Sequence, residues 1–225
     1  MPFANYDDEI RNILPYYDSF HQETINLVKA VNPDPRIWLD TGCGTGTLAE
    51  RALKHFPNTR FVLADPLVEM LGKAKMKLSG MDRVIFLKPV FTQDLSIDDI
   101  KGIEGNESPD VVTAIQSHHY LSKGDRSKAT KVCYDLLNNG GIYITFENIR
   151  PFTEIGTEIG ILNWKNYQLS RGRDPVVVEN HLKWFDAEFF PITIEEHLST
   201  LRDTGFKAVE LLWCSCMQAG FYCIK

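Results

Sequence analysis

No run of apolar residues approaches the ~20 that a bilayer-spanning helix needs, and the first residues lack the charged, apolar and small-residue succession of a secretory leader. Those absences predict a cytoplasmic chain with no membrane partner. Basic charge is scarce too: 24 Lys and Arg stand against 30 Asp and Glu, a formal net charge of −6. A nucleic-acid backbone asks for the opposite balance, so nucleic acid is not expected as the main partner. The densest basic stretch, Lys73, Lys75 and Lys77, has the spacing of a solvated helix face. Cysteine is sparse and odd in number. Cys43, Cys133, Cys214, Cys216 and Cys223 show no framework spacing, which argues against a disulfide scaffold and predicts reduced thiols. Cys214 and Cys216 have no second ligand pair, so no metal is expected; on a strand they share one face and act as small buried residues. There is no internal repeat and no low-complexity segment. The 225 residues suit one domain, 1–225, with a full core.

The richest stretch is Trp38-Leu39-Asp40-Thr41-Gly42-Cys43-Gly44-Thr45-Gly46-Thr47-Leu48-Ala49, followed by Phe61-Val62-Leu63-Ala64-Asp65. It reads as strand, glycine turn, helix, second strand and a terminal acid. A helix start on such a turn aims free N–H groups and a positive dipole end at a ligand. Asp65 falls where a carboxylate accepts from both hydroxyls of a ribose. A dinucleotide fingerprint is G-x-G-x-x-G. Here the third glycine position holds Thr47, and Asp40 is ill placed beside a pyrophosphate. An acid there suits a cationic ligand.

Around this stretch the chain alternates strands and helices. Residues 1–35 form a helical arm, with Ile10, Ile13 and Leu14 on one face, an interruption at Pro15 and a second helix from about Ser19 to Val31. Strands are expected at 37–40, 60–64, 84–87, 111–115 and 142–146. Helices are expected at 45–55, 67–78, 97–103 and 127–137, with a loop holding Gly105, Asn106 and Pro109. This rhythm predicts a parallel sheet covered on both faces. Residues 150–190, rich in aromatics, read as a helical lid insertion. Thr193 and Glu196 have capping-box spacing for a helix over 193–204, stopped by Gly205. Strands at 208–216 and 221–224, separated by Gln218-Ala219-Gly220, predict a terminal hairpin.

The D-x-G-x-G-x-G run with its downstream acid resembles motifs I and II of the class I S-adenosylmethionine-dependent methyltransferases. The resemblance runs over the whole chain, and is strongest to the carboxy-S-adenosylmethionine synthase-like branch. It implies an α/β, Rossmann-like, seven-stranded, mostly parallel sheet with a terminal antiparallel hairpin. Arg11-Asn12-Ile13-Leu14-Pro15-Tyr16-Tyr17 is similar to an arm that covers the cofactor in that branch, Glu69-Met70-Leu71 to a helix start lining the adenine pocket, and 191–206 to its C-terminal helix. The resemblance implies a cofactor set of Tyr17, Asp40, Gly42, Cys43, Gly44, Gly46, Asp65, Pro66, Met70, Phe91, Ile115 and Gln116. It also has departures. The synthase grips an extra carboxylate with an arginine before its last helix, where Leu182 and Lys183 stand here. Without that planar fork, ordinary S-adenosylmethionine is the expected cofactor, with S-adenosylhomocysteine as product. The acid that often follows strand three is displaced to Asp94, with Val90 and Phe91 in its region.

Methyl transfer from a sulfonium is an in-line displacement that needs alignment and desolvation, and a base only when the nucleophile enters protonated. His118 and His119, after strand four, are the candidate bases. His197 reads as structural, and His21, His55 and His181 have no usable context. Tyr16, Trp164, Tyr167, Arg171 and Trp184 are the candidate acceptor contacts, and Tyr16 and Tyr17 could close over the sulfonium. The long lid and acidic charge favour a small-molecule acceptor. RNA or protein methylation, a non-enzymatic S-adenosylmethionine-binding module and a nicotinamide oxidoreductase are the alternatives. A homodimer is compatible with the sequence.

Overall fold

A computed structural model describes residues 6–100, 107–215 and 217–225. The arm consists of α1 (Tyr6–Ile13) and α2 (Tyr17–Val31), joined through Tyr16, which turns the chain at φ 64. The core alternates β1 (Ile37–Thr41), α3 (Thr47–Ala52), β2 (Arg60–Ala64), α4 (Val68–Lys77), β3 (Val84–Phe86), α5 (Ile97–Ile100), β4 (Val111–Ile115), α6 (Lys123–Leu136) and β5 (Ile142–Asn148). Then follow α7 (Glu154–Ser170), α8 (Pro175–Leu182), α9 (Ile194–Thr204), β6 (Ala208–Ser215) and β7 (Gln218–Ile224). The seven strands form one sheet in the order β3-β2-β1-β4-β5-β7-β6. β1 to β5 pair in parallel and β7 runs antiparallel to β5 and β6. The α/β class, mixed sheet and terminal hairpin are those expected.

Strand alternation sorts the core into two layers. Trp38, Phe61, Val111, Ile144 and Phe146 face the arm helices, against Phe20, Ile25 and Val28. Leu39, Val62, Val112 and Tyr143 face the other way, onto α6 and α9 through Cys133, Leu136, Leu201 and Phe206. Reversal of strand order between β1 and β4 opens a crevice at the carboxyl ends of both strands, the usual ligand position in such sheets.

Element bounds shift where local chemistry overrides the periodicity. The helix expected from residue 45 starts at Thr47, because Gly46 caps it at φ 76. The helix expected from 127 starts at Lys123, because Ser122 accepts from the Asp125 N–H. Gln218-Ala219-Gly220 lies inside β7, not in the turn: pairing runs to Ser215↔Gln218. Gly220 is needed there because a Cβ would sit 2.4 Å from the Phe146 ring. Cys214 is exposed, not buried as expected. Cys216, Gly105, Asn106 and residues 101–103 of the expected 97–103 helix lie outside the described residues.

Lys77 departs from the solvated-face reading. Its ammonium lies 2.6 Å from Asp7 Oδ2 and donates to Thr47 Oγ1 at 2.7 Å and Thr45 Oγ1 at 3.1 Å. Those bonds fasten α1 to the start of α3, just past the glycine turn. Because both charged side chains keep partial exposure, Lys77→Met is expected to cost no more than about 1 kcal/mol. Hydrogen exchange should quicken in Tyr6–Ile13; unchanged protection there would refute the fastening.

Candidate active site

A cavity of about 430 Å³ opens in that crevice, roofed by α1, α7 and α8. At its floor the chain leaves β1 through Gly42 at φ 70, where a Cβ would sit 2.4 Å from Ser117 Cβ. Only glycine combines that backbone region with so close an approach. Gly46 lets α3 pack on α4: a Cβ there would meet Leu78 Cδ1 at 2.9 Å. Asp65, at the end of β2, accepts from the N–H groups of Gly44 and Leu67, both at 2.9 Å. Burial raises its pKa, opposed by those two N–H groups. Asp40 is 2% exposed and accepts from Thr113 Oγ1 at 2.7 Å. Burial, opposed by the Thr113 bond and reinforced by Asp65, pushes its pKa up to about 7. Gln116, past β4, sits at φ 56 with its side-chain Nε2 buried and unpartnered.

The cavity's other end lies between the tips of β4 and β5 and the roof. Glu147, fully buried on β5, organises it. Its carboxylate accepts from the N–H groups of His118 at 3.2 Å and His119 at 2.9 Å, from Thr145 Oγ1 at 2.7 Å, and from His119 Nδ1 at 2.7 Å. Burial alone would raise its pKa; these bonds and the imidazoles overcome it and bring it down to about 2. An ionised Glu147 only accepts, so the proton of His119 sits on Nδ1. His119 Nε2 lies 3.2 Å from Asn148 Nδ2, an amide donor, and is placed to accept from it. The amide is itself held by Gln218 Nε2 at 3.2 Å from Asn148 Oδ1.

A methyltransferase-domain family model matches residues 39–143, the stretch that holds the end of β1, the glycine turn, both acids and strands β2 to β4. The fold, the glycine turn and this match support the class I S-adenosylmethionine-dependent methyltransferase family for this chain. It is 24% identical over 210 residues to the carboxy-S-adenosyl-L-methionine synthase of Nautilia profundicola, spanning 92% of this chain and 85% of that one. Human N-acetylserotonin methyltransferase, solved with S-adenosylmethionine, superposes with a TM-score of 0.58 at 16% identity, covering 99% of this chain and 58% of that one. An O-methyltransferase family protein from Burkholderia thailandensis superposes with a TM-score of 0.59 at 16% identity, over 92% and 59%. The chain thus spans under three fifths of the length of both solved chains, which share its fold.

Within this methyltransferase, Tyr17, Asp40, Gly42, Cys43, Gly44, Asp65, Pro66, Met70, Phe91, Ile115 and Gln116 all line the cavity. Gly46 does not; its role is the α3–α4 contact. Trp164 and Trp184 line the roof, where they also pack on His181 and Phe189. Three acceptor candidates lie elsewhere, two of them because the arm and α7 use them to hold each other. Tyr167 Oη donates to Arg11 O at 2.7 Å, and Arg171 Nε to Asn12 Oδ1 at 3.3 Å. Tyr16 is 59% exposed, edge-on to Trp213. His118 turns its ring toward Tyr143, with Nδ1 3.3 Å from the phenol oxygen, and into a second, small cavity beside Arg126 and His197. Burial there lowers its pKa to about 4. Both candidate bases line the main cavity, and His119 is the one whose ring lies between Glu147 and Asn148. Glu147 and Asn148 were missed by sequence reasoning. The acid near the end of a largely apolar run, in Ile144-Thr145-Phe146-Glu147-Asn148, was the available signal. His21 and His181, without context in the sequence, also line the cavity.

Proposed function

We propose that this methyltransferase moves the methyl group of ordinary S-adenosylmethionine onto a small molecule. One observation carries the reading of the cofactor end: Asp40 and Asp65 are buried in one cavity with no Lys or Arg among its described lining residues. Two such carboxylates without a cation favour a ligand that brings its own positive charge. The ammonium and sulfonium of S-adenosylmethionine supply it. Asp65 would accept from the ribose, and the glycine turn would pass beneath the amino-acid portion. A carboxylated cofactor fits poorly, since Leu182 is half-buried in the apolar core and lines no part of the cavity. The roof of α1, α7 and α8 excludes water and leaves little room for a polymer acceptor. The buried thiols of Cys43, Cys133 and Cys223 and the acidic charge balance support a cytoplasmic setting.

Calorimetry with S-adenosylhomocysteine tests this. Asp65→Ala is expected to weaken binding by ~1–3 kcal/mol, the scale of a hydrogen bond to a charged group. Unchanged affinity in a folded variant would remove Asp65 from the ribose. Because Asp40 titrates at about 7 in the chain alone, a cationic ligand draws its pKa down. Binding near neutral pH should therefore release a proton, visible as a heat that varies with the buffer's ionisation enthalpy.

A further inference from the structure

Charge and shape at the acceptor end narrow the second substrate further. Among the described residues no Lys or Arg faces the cavity. The arginines bordering it are engaged elsewhere: Arg11 with Asp18, Arg173 with Gln168 and Glu9, Arg171 with Asn12. Of the imidazoles in the wall, His21 and His181 supply no cation either. Burial lowers His21 to about 3 and His181 to about 4, so both are uncharged at neutral pH. A carboxylate or phosphate on the acceptor would enter with no counter-charge, toward a carboxylate already present in Glu147. The walls are apolar and flat: Ile13, Leu14, Trp164, Trp184 and Phe189. Such surfaces suit the faces of a ring. The polar groups where β4 and β5 end are His119 and Asn148, and His119 offers a lone pair on Nε2 while Glu147 holds Nδ1–H. A thiolate needs no such group, but a phenolic hydroxyl, protonated near neutral pH, does.

We infer that the acceptor is an uncharged aromatic hydroxyl compound, methylated on oxygen, with His119 Nε2 as the group that takes its proton. The inference rests on the methyl-transfer reading above. The hydroxyl competes with Asn148 Nδ2 for the Nε2 lone pair. As its O–H bond breaks toward nitrogen, the oxygen pair forms the bond to the methyl carbon. The carbon–sulfur bond breaks with its electrons on sulfur, leaving S-adenosylhomocysteine. The imidazolium, stabilised by Glu147, then returns its proton to water.

The test begins with S-adenosylhomocysteine calorimetry, whose failure would fell the cofactor reading and this inference with it; the acceptor assays that follow test this inference alone. With binding established, S-adenosylmethionine is supplied with 2-naphthol or with 6-hydroxy-2-naphthoic acid, and the methyl ether is read by mass spectrometry. Methylation of 2-naphthol with kcat/KM at least tenfold above the acid is expected. Equal rates, preference for the acid, or no ether from either compound overturns the inference. His119→Gln keeps a side chain able to donate to Glu147 and should lower kcat on 2-naphthol on the order of 100-fold, the low end for a lost general base. The loss should shrink with 4-nitrophenol, whose hydroxyl is more acidic and needs less help. A merely structural role for His119 would instead reduce turnover of both phenols alike.

Discussion

Glu147→Ala is expected to destabilise the protein by about 3–5 kcal/mol, the scale for several buried donors that lose one charged acceptor at ~1–3 kcal/mol each. The reason is the number of donors it satisfies. Two N–H groups of the turn after β4, the Thr145 hydroxyl and His119 Nδ1–H all converge on one carboxylate. None can reach water, since His118, His119 and Thr145 are each 3% exposed or less. Alanine leaves all four donors facing a void. Urea unfolding should show the midpoint drop with an unchanged slope, and a loss below about 1 kcal/mol would overturn this account. Glutamine preserves the volume but turns an –NH2 toward donors, so it should recover only part of the loss. The pH dependence has a definite sign. The folded pKa lies below the ordinary glutamate value of about 4.3, so the Glu147 contribution is fully present above that value. It is lost as pH falls toward about 2. In the alanine variant the acid limb of the stability profile should be correspondingly flatter.

Gly42→Ala should abolish useful cofactor affinity, with a fall of at least ~100-fold, or about 3 kcal/mol. Two costs combine. At φ 70 any L side chain is strained, by roughly 1–2 kcal/mol. The new Cβ also lands 2.4 Å from Ser117 Cβ. The turn must move, and the Gly44 N–H then loses its register with Asp65. A second substitution separates the two costs. Ser117→Gly removes the clashing atom and leaves Ser117 Cα at 3.9 Å, an ordinary contact. The double variant should recover the steric share and keep only the backbone strain, a coupling that a double-mutant cycle reads directly. Full affinity in the single variant would show that the turn does not sit against the ligand.

The sheet was legible because its signal is local. Ile37–Asp40, Arg60–Ala64 and Val111–Ile115 are short apolar runs bounded by turn residues, and burial on both faces demands such runs. The glycine turn and the two acids at one end of the cavity were legible for the same reason: they lie within 30 residues of one another. The acceptor end was not, because it is assembled across the chain. Tyr167 and Arg171 carry the right chemistry for a ligand, but a helix packed on the arm offers backbone carbonyls and Asn12 as nearer partners. Glu147 looks in sequence like a strand-end acid. Its partners appear only when β4 and β5 lie side by side. Lys77 was misread because its anion, Asp7, is 70 positions away.

The bond from the Trp164 indole to Ile13 O joins positions 151 apart. The arm is made early by the ribosome, and its clasp emerges late. At 5–20 residues per second, the greasy stripe of Ile10, Ile13 and Leu14 waits roughly 8–30 s for its cover. A nascent chain in that interval presents a chaperone-sized target, and a transcript cut short before α7 yields a pocket that never closes.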